Sequence, residues 1–81
     1  MLLVFLGTMP SVQSHRRLLG HAVWSTRKNL GFTQEALAEK ANLSTVFISR
    51  IERGVESPSV DNLVKIAKAL GVKVAELVEG F

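Results

Sequence analysis

Apolar residues recur at three- and four-residue spacing along most of the chain, which is the periodicity of amphipathic α-helices. The first predicted helix covers residues 15–29 and carries an apolar stripe along one face. The stripe consists of Leu18, Leu19, Ala22 and Val23. Trp24 lies beside this stripe, so we expect its ring to pack at the core or its rim.

Two more amphipathic segments follow near the C-terminus. Pro58 disfavours a helical conformation at Ser57, and Ser59 is a good N-cap for the helix that follows. Gly71 is a good C-terminal stop for that helix. Its apolar positions are Val60, Leu63, Val64, Ala67 and Leu70. A last short helix is predicted over residues 74–79, with apolar residues at Val74, Leu77 and Val78.

The intervening segment, residues 33–54, predicts two short helices joined by a sharp turn. Thr33 and Ser44 are N-cap residues that each precede a stretch with helical periodicity. Asn42 tolerates the left-handed conformation that closes a helix, and Gly54 marks the end of the second helix. The apolar residues at helical spacing or expected to face inward are Ala36, Leu37, Ala38, Ala41, Leu43, Ile48 and Ile51, with Phe47 adjoining.

Such a pair of helices has two interpretations. A helix-turn-helix sets its second helix into the DNA major groove, whereas an ordinary αα-hairpin only helps to build a small helical domain. The small side chain of Ala38 suits two helices that cross closely, and with the Asn42 turn and the Ser44 cap it favours the helix-turn-helix. The whole pattern predicts an all-α domain of five helices.

Composition narrows the class of protein only a little. The 81 residues accommodate one domain, placed at residues 15–81 after an extension of residues 1–14. The net charge of +3 agrees with a polyanionic partner but is weak evidence alone. The absence of cysteine excludes disulfides and thiolate metal sites and fits the cytoplasm. His15 and His21 do not share a helix face, so we expect no metal and no cofactor.

The extension begins with the apolar sequence MLLVFLG. This segment is too short to span a bilayer, and it lacks the basic region and cleavage site of a signal peptide, so no membrane association is expected. One alternative is that the extension is disordered, or that Met9 is the true start. The other is that residues 2–6 form a strand or an ordered arm at a dimer contact.

Residues 18–78 resemble the lambda-repressor-like (Xre/Cro/C1-type) DNA-binding domain. The matching positions are Arg27, Gly31, Thr33-Gln34-Glu35, Leu37-Ala38, Ala41, Leu43-Ser44, Ile48-Ser49, Ile51-Glu52-Arg53-Gly54, Pro58-Ser59, Ala67 and Leu70-Gly71-Val72. The resemblance covers most of the chain and extends to short controller-type regulators. It implies a five-helix fold and a sequence-specific transcriptional regulator that binds double-stranded DNA.

The resemblance also implies roles for individual residues. Contacts to base edges in the major groove are expected from Thr45, Val46, Ser49 and Arg50. Contacts to phosphates are expected from Thr33, Gln34, Ser44, Phe47 and Arg53. Arg27 and Glu52 match the family's internal salt bridge between the first and third helices.

A homodimer is expected, with two recognition helices that engage half-sites about 34 Å apart. A chain of this size buries only about 60–65% of its unfolded surface and therefore gains stability from dimerisation. The last two helices are the expected dimer surface, with Leu77, Val78 and Phe81 as candidates because of their apolar character. Leu77 is equally suited to the core.

A second class of function is a protein-interaction module, such as an antitoxin or adaptor on the same fold. Glu56 favours it slightly, because the loop that contains Glu56 is often basic in the resembled family. We do not expect an enzyme, since the chain has no cysteine nucleophile and no clustered acid–base group. Lys73 lies where a capping Ser or Thr is usual, so we expect the last helix to fray.

Overall fold

The computed structural model describes residues 12–81, with side chains from residue 14 onward. This part of the chain forms five helices and no strand, as the sequence predicted. They are α1 (Val12–Asn29), α2 (Gln34–Ala41), α3 (Thr45–Glu52), α4 (Val60–Leu70) and α5 (Val74–Val78). The predictions about residues 1–11 lie outside the described residues. Helix α1 begins three residues earlier than predicted, since no proline or glycine interrupts the chain between Val12 and Leu19.

The predicted caps at the helix starts are present. The hydroxyl oxygen of Thr33 accepts a hydrogen bond from the Ala36 amide at 3.0 Å, which starts α2. Ser44 does the same for the Phe47 amide at 3.0 Å. Asn42 closes α2 in the left-handed conformation with φ 57°, and a turn of only three residues separates α2 from α3.

Helix α5 lacks a hydroxyl cap, but a carboxylate replaces it. Glu76 accepts a hydrogen bond from the backbone amide of Lys73 at 2.7 Å. This is the reciprocal half of a capping box, and it satisfies an amide at the helix start. This hydrogen bond opposes the fraying that was expected at the start of α5. The helix ends at Val78, one residue earlier than predicted.

The core is formed by one apolar cluster to which all five helices contribute. Its members are Leu19, Val23, Leu37, Ala38, Ala41, Ile48, Ile51, Ile66, Ala67, Leu70 and Leu77. Leu18 was assigned to the core stripe, but it is 42% exposed because it faces the C-terminal end of the chain rather than α3. Val60, at the first position of α4, is also exposed, whereas Ile66 is fully buried and was not predicted.

Helix α1 packs closely against the C-terminal end of α3, and two glycines make this possible. A side-chain carbon at Gly20 would collide with the carbonyl oxygen of Ile51 and would lie 2.7 Å from that of Glu52. A side-chain carbon at Gly54 would lie 2.8 Å from Cγ of Arg17. Helix α2 packs across the other side of α3 and against α4, so α3 is held between two helices with one face left to solvent.

Candidate nucleic-acid interface

Helix α3 has one buried face and one solvent face. Ile48 and Ile51 are fully buried and anchor the helix to the core. At 3.6 residues per turn, the residues predicted to contact base edges fall together on the opposite face. These are Thr45, Val46, Ser49 and Arg50, and Arg53 continues the same face. Val46 is 65% exposed, so its methyl groups are free for a contact.

The N-termini of α2 and α3 supply hydrogen-bond donors beside this face. The caps engage only the hydroxyl oxygens of Thr33 and Ser44, so each hydroxyl proton can still be donated. The first two amides of α2, at Gln34 and Glu35, have no intrahelical acceptor by the geometry of a helix start. Together with the positive end of the helix dipole, they form the kind of site that binds a phosphate.

Phe47 does not fit the phosphate contact that was predicted for it. Its side chain has no polar atom and packs against the core, and its backbone amide is the donor to Ser44 Oγ. We therefore assign Phe47 to packing beneath the recognition face rather than to the DNA surface. The resemblance alone could not distinguish these roles, because both place an aromatic residue near the start of α3.

The predicted salt bridge between Arg27 and Glu52 is present and nearly buried. Arg27 Nε lies 2.6 Å from Glu52 Oε2, and Arg27 Nη2 lies 3.0 Å from Oε1. Arg27 Nη1 also donates to the carbonyl oxygen of Phe32 at 2.7 Å. The hydrogen bond to Glu52 raises the pKa of Arg27 above its ordinary value, although burial alone would lower it. Arg27 therefore remains charged while it joins α1 to α3.

Gln34 is attached to the same carboxylate. Its side-chain Nε2 donates to Glu52 Oε1 at 3.0 Å, a bond that sequence reasoning did not predict. A primary amide has two N–H groups, so one remains for a phosphate while the other fixes the side chain. Glu52 thus orients the residue at the start of α2 relative to the face of α3. In the sequence, the only indication of this hydrogen bond was that Gln34 and Glu52 both match the motif of the resembled family.

Arg50 has an acidic neighbour in the loop after α3. Its Nε lies 4.0 Å from Oε1 of Glu56, and the two side chains are 55% and 34% exposed. Such a solvent-exposed pair is weak and salt-sensitive, so it does not hold Arg50 in place. It does lower the net positive charge of this part of the surface.

The three predicted dimer residues lie in different environments. Leu77 is 2% exposed and belongs to the core, so its assignment to the dimer surface is corrected: its side chain is enclosed within the protomer. Val78 is partly buried, and Phe81 is 49% exposed with its ring stacked on His15 at 5.1 Å. Leu18 approaches Gly80. We call Leu18, Val78 and Phe81 the C-terminal apolar patch.

Other kinds of site have little support in residues 12–81. No group of three His, Cys, Asp or Glu residues within this range could hold a metal ion. No helix in the same range is long and apolar enough to cross a membrane. One pocket there is open to solvent and lined by Arg16, Arg17, Arg53, Gly54 and Val55, so its lining carries three basic residues.

Comparison with known proteins agrees with this geometry. The helix-turn-helix family model matches residues 25–77. The control protein C.BamHI of Bacillus amyloliquefaciens is 42% identical over 65 residues, which are 79% of this chain and 80% of that protein. The immunity repressor protein of Bacillus phage phi105 is 42% identical over 60 residues, or 74% of this chain. The aligned region spans only 42% of that repressor's length.

Two solved structures are similar as well. The restriction–modification controller protein C.AhdI from Aeromonas hydrophila superposes with a TM-score of 0.75 at 31% identity, covering 76% of this chain and 94% of that one. The P22 c2 repressor in complex with a synthetic operator gives 0.73 at 33% identity, covering 78% and 96%. The chain therefore belongs to the lambda-repressor-like helix-turn-helix family of DNA-binding transcriptional regulators.

Proposed function

We propose that this protein binds operator half-sites as a homodimer, with α3 in the major groove of each half-site. The observation that carries the proposal is the solvent face of α3. Four residues of types that contact base edges lie together there, on a helix whose other face is fixed by Ile48 and Ile51. The similarity to the P22 c2 repressor, which was solved in complex with a synthetic operator, supports the same use of this face.

Each residue on the face has a distinct proposed partner. The exposed methyl groups of Val46 suit the C5 methyl of thymine, and the hydroxyls of Thr45 and Ser49 can donate to or accept from either class of base. Arg50 lies in the last turn of α3 and can donate two parallel hydrogen bonds to O6 and N7 of guanine. To do so it must leave Glu56, which costs little for an exposed pair.

Phosphate contacts are proposed on both sides of this face. Thr33 and Gln34 at the start of α2, and Ser44 at the start of α3, supply hydroxyl, amide and backbone donors. Arg53 at the C-terminal end of α3 supplies a charge. These contacts fix the register of α3 and carry no sequence information, so they hold the base-contacting face in place without discriminating between operators.

The C-terminal apolar patch is the proposed dimer surface. Val78, Phe81 and the unpredicted Leu18 provide it, while Leu77 supports it from the core. Two protomers related by a twofold axis would present two copies of α3 about one turn of DNA apart, roughly 34 Å, and would match an inverted repeat. Because its partner is DNA, we place the protein in the cytoplasm.

A second candidate is a protein-interaction module of the antitoxin or adaptor type. The pairing of Arg50 with Glu56 is the observation that favours it, because the loop carries an acid beside the recognition face. In this case the solvent face of α3 or the C-terminal apolar patch would bind a protein. A stoichiometric protein partner with no salt-dependent DNA affinity would support this candidate over the first.

Selection from genomic DNA distinguishes the operator-binding regulator from the protein-interaction module. Fragments that bind the purified protein at near-physiological salt are sequenced, and the enriched site is footprinted. We expect a short inverted repeat with two protected regions one helical turn apart. Binding to all fragments alike, with no enriched sequence, would contradict a sequence-specific regulator. Val46→Glu is the matched variant, since it places a charge on the recognition face without touching the core, and it should abolish the enrichment.

A further inference from the structure

Three arginines lie together beside the C-terminal end of α3. Arg16 and Arg17 belong to the N-terminal part of α1, whereas Arg53 caps α3. With Gly54 and Val55 they line an open pocket of about 380 Å³. Only Arg53 was assigned a DNA contact above. The other two arginines precede the region that the family model matches, so the family pattern gives them no role.

The fold fixes these arginines relative to the recognition helix. Gly54 has φ 75°, and a side-chain carbon there would lie 2.8 Å from Cγ and 3.1 Å from Cα of Arg17. The backbone turn after α3 is therefore in direct contact with α1. Gly20, one turn further along α1, makes a similar contact with the carbonyl oxygen of Glu52. The position of Arg17 is thus coupled to that of α3 by backbone packing rather than by flexible side chains.

The cluster has no counter-ion within the described part of the chain. The ion pairs there join Arg27 to Glu52 and Arg50 to Glu56, so neither acid neutralises the cluster. The Nε atom of Arg16 is buried and donates to no described residue. Three arginines that line one open pocket and have no described counter-ion form a surface that an anion would complete, because guanidinium geometry matches phosphate oxygens.

We propose that Arg16, Arg17 and Arg53 bind one phosphate group of the DNA backbone beside the half-site that α3 contacts. The inference rests on the proposed function and extends it. Arg50 and Arg53 share the solvent face of α3, so the pocket continues directly from the base-contacting residues. The DNA backbone would then be held at both ends of α3, by the helix N-termini at one end and by this arginine cluster at the other.

The double variant Arg16→Gln/Arg17→Gln tests the site. Glutamine keeps part of the side-chain length and a donor but removes both charges. Affinity is measured on the selected operator and on a random duplex of equal length between 50 and 200 mM NaCl. Loss of one phosphate contact should reduce the slope of log K against log salt by about 0.9, and by the same amount on both duplexes. The matched control is Lys65→Gln/Lys68→Gln, which removes two exposed charges from α4.

Each remaining outcome contradicts a specific claim. Equal changes of slope in the two double variants would mean that net charge alone matters, and the site would be disproved. Inorganic phosphate that shifts the Gly54 amide resonance saturably, with an unchanged DNA slope in the arginine variant, would mean a site for free anions instead. If the wild-type protein binds neither duplex, the proposed function itself fails. Arg17→Gln alone, at the more exposed arginine, repeats the test should the double variant unfold.

Discussion

At the scale of single residues, Glu52 connects the fold to the interface. One carboxylate accepts hydrogen bonds from Arg27 on α1 and from Gln34 at the start of α2, while it belongs to α3 itself. Its side chain is only 4% exposed, so these bonds replace water almost completely. The same residue therefore stabilises the domain and sets the position of a phosphate donor relative to the recognition face.

Replacing this carboxylate should cost both stability and affinity. Glu52→Gln leaves the buried Arg27 without its counter-charge, and we expect a loss of roughly 3 kcal/mol in the free energy of unfolding, measured in urea. Glu39→Gln, at an exposed acid of α2, is the control and should change stability by less than about 0.5 kcal/mol. The double variant Arg27→Met/Glu52→Leu should recover much of the loss, because no buried charge remains unpaired. Equal losses in Glu52→Gln and the control would refute the structural role of the pair.

At the scale of helices, the turn between α2 and α3 was predictable but the closest contact was not. Thr33, Ser44 and Asn42 act within a few residues of the chain, so their types alone specify where α2 begins and ends and where α3 begins. Gly20 and Gly54 act across the interface between α1 and α3, and nothing in their sequence neighbourhood indicates the partner backbone. The same limit applies to the site: the residues on the solvent face of α3 were implied by the family resemblance. The hydrogen bond from Gln34 to Glu52, and the pocket that Arg16 and Arg53 share, required the packed fold.

Gly20 therefore provides a test of helix packing. In an isolated helix Gly20→Ala would be favourable by about 1 kcal/mol, but here the methyl group meets the backbone of α3, which cannot move aside. We expect a net destabilisation of about 1–3 kcal/mol and a lower melting temperature. Gly80→Ala is the matched control, because its methyl group would lie 4.0 Å from Leu18 Cδ2 at ordinary contact distance. A Gly20→Ala variant as stable as the control would contradict the close approach of α1 and α3.

At the scale of the whole molecule, the proposed binding to two half-sites requires a dimer formed through the C-terminal apolar patch. Phe81 and Leu18 are exposed, whereas Leu77, only four residues before Phe81, is enclosed. Apolar character near the C-terminus could not separate these environments, since both kinds of position require apolar residues. Leu77 belongs to the core because it lies on the side of α5 that packs against α1.

Because Phe81 is exposed and Leu77 is enclosed, substitutions at these two positions should have different effects. Phe81→Glu should convert a dimer to a folded monomer in analytical ultracentrifugation with unchanged helical circular dichroism. Leu77→Ala should instead lower the free energy of unfolding by about 2–5 kcal/mol through a core cavity. Val60→Glu changes another exposed apolar residue, on α4, and should affect neither property. A Phe81→Glu variant that stays dimeric would exclude the patch as the dimer surface.

The most direct test of the central claim is the affinity of Arg50→Ala for a panel of operators, each altered at one base pair. If α3 contacts base edges in the major groove, the variant loses about 1–3 kcal/mol on the native operator and becomes indifferent to one guanine position. Arg53→Ala, measured beside it, should weaken binding to all sequences alike. If Arg50→Ala also weakens every sequence equally and keeps the full base preference of the wild type, Arg50 is a phosphate contact and the proposed recognition face is wrong.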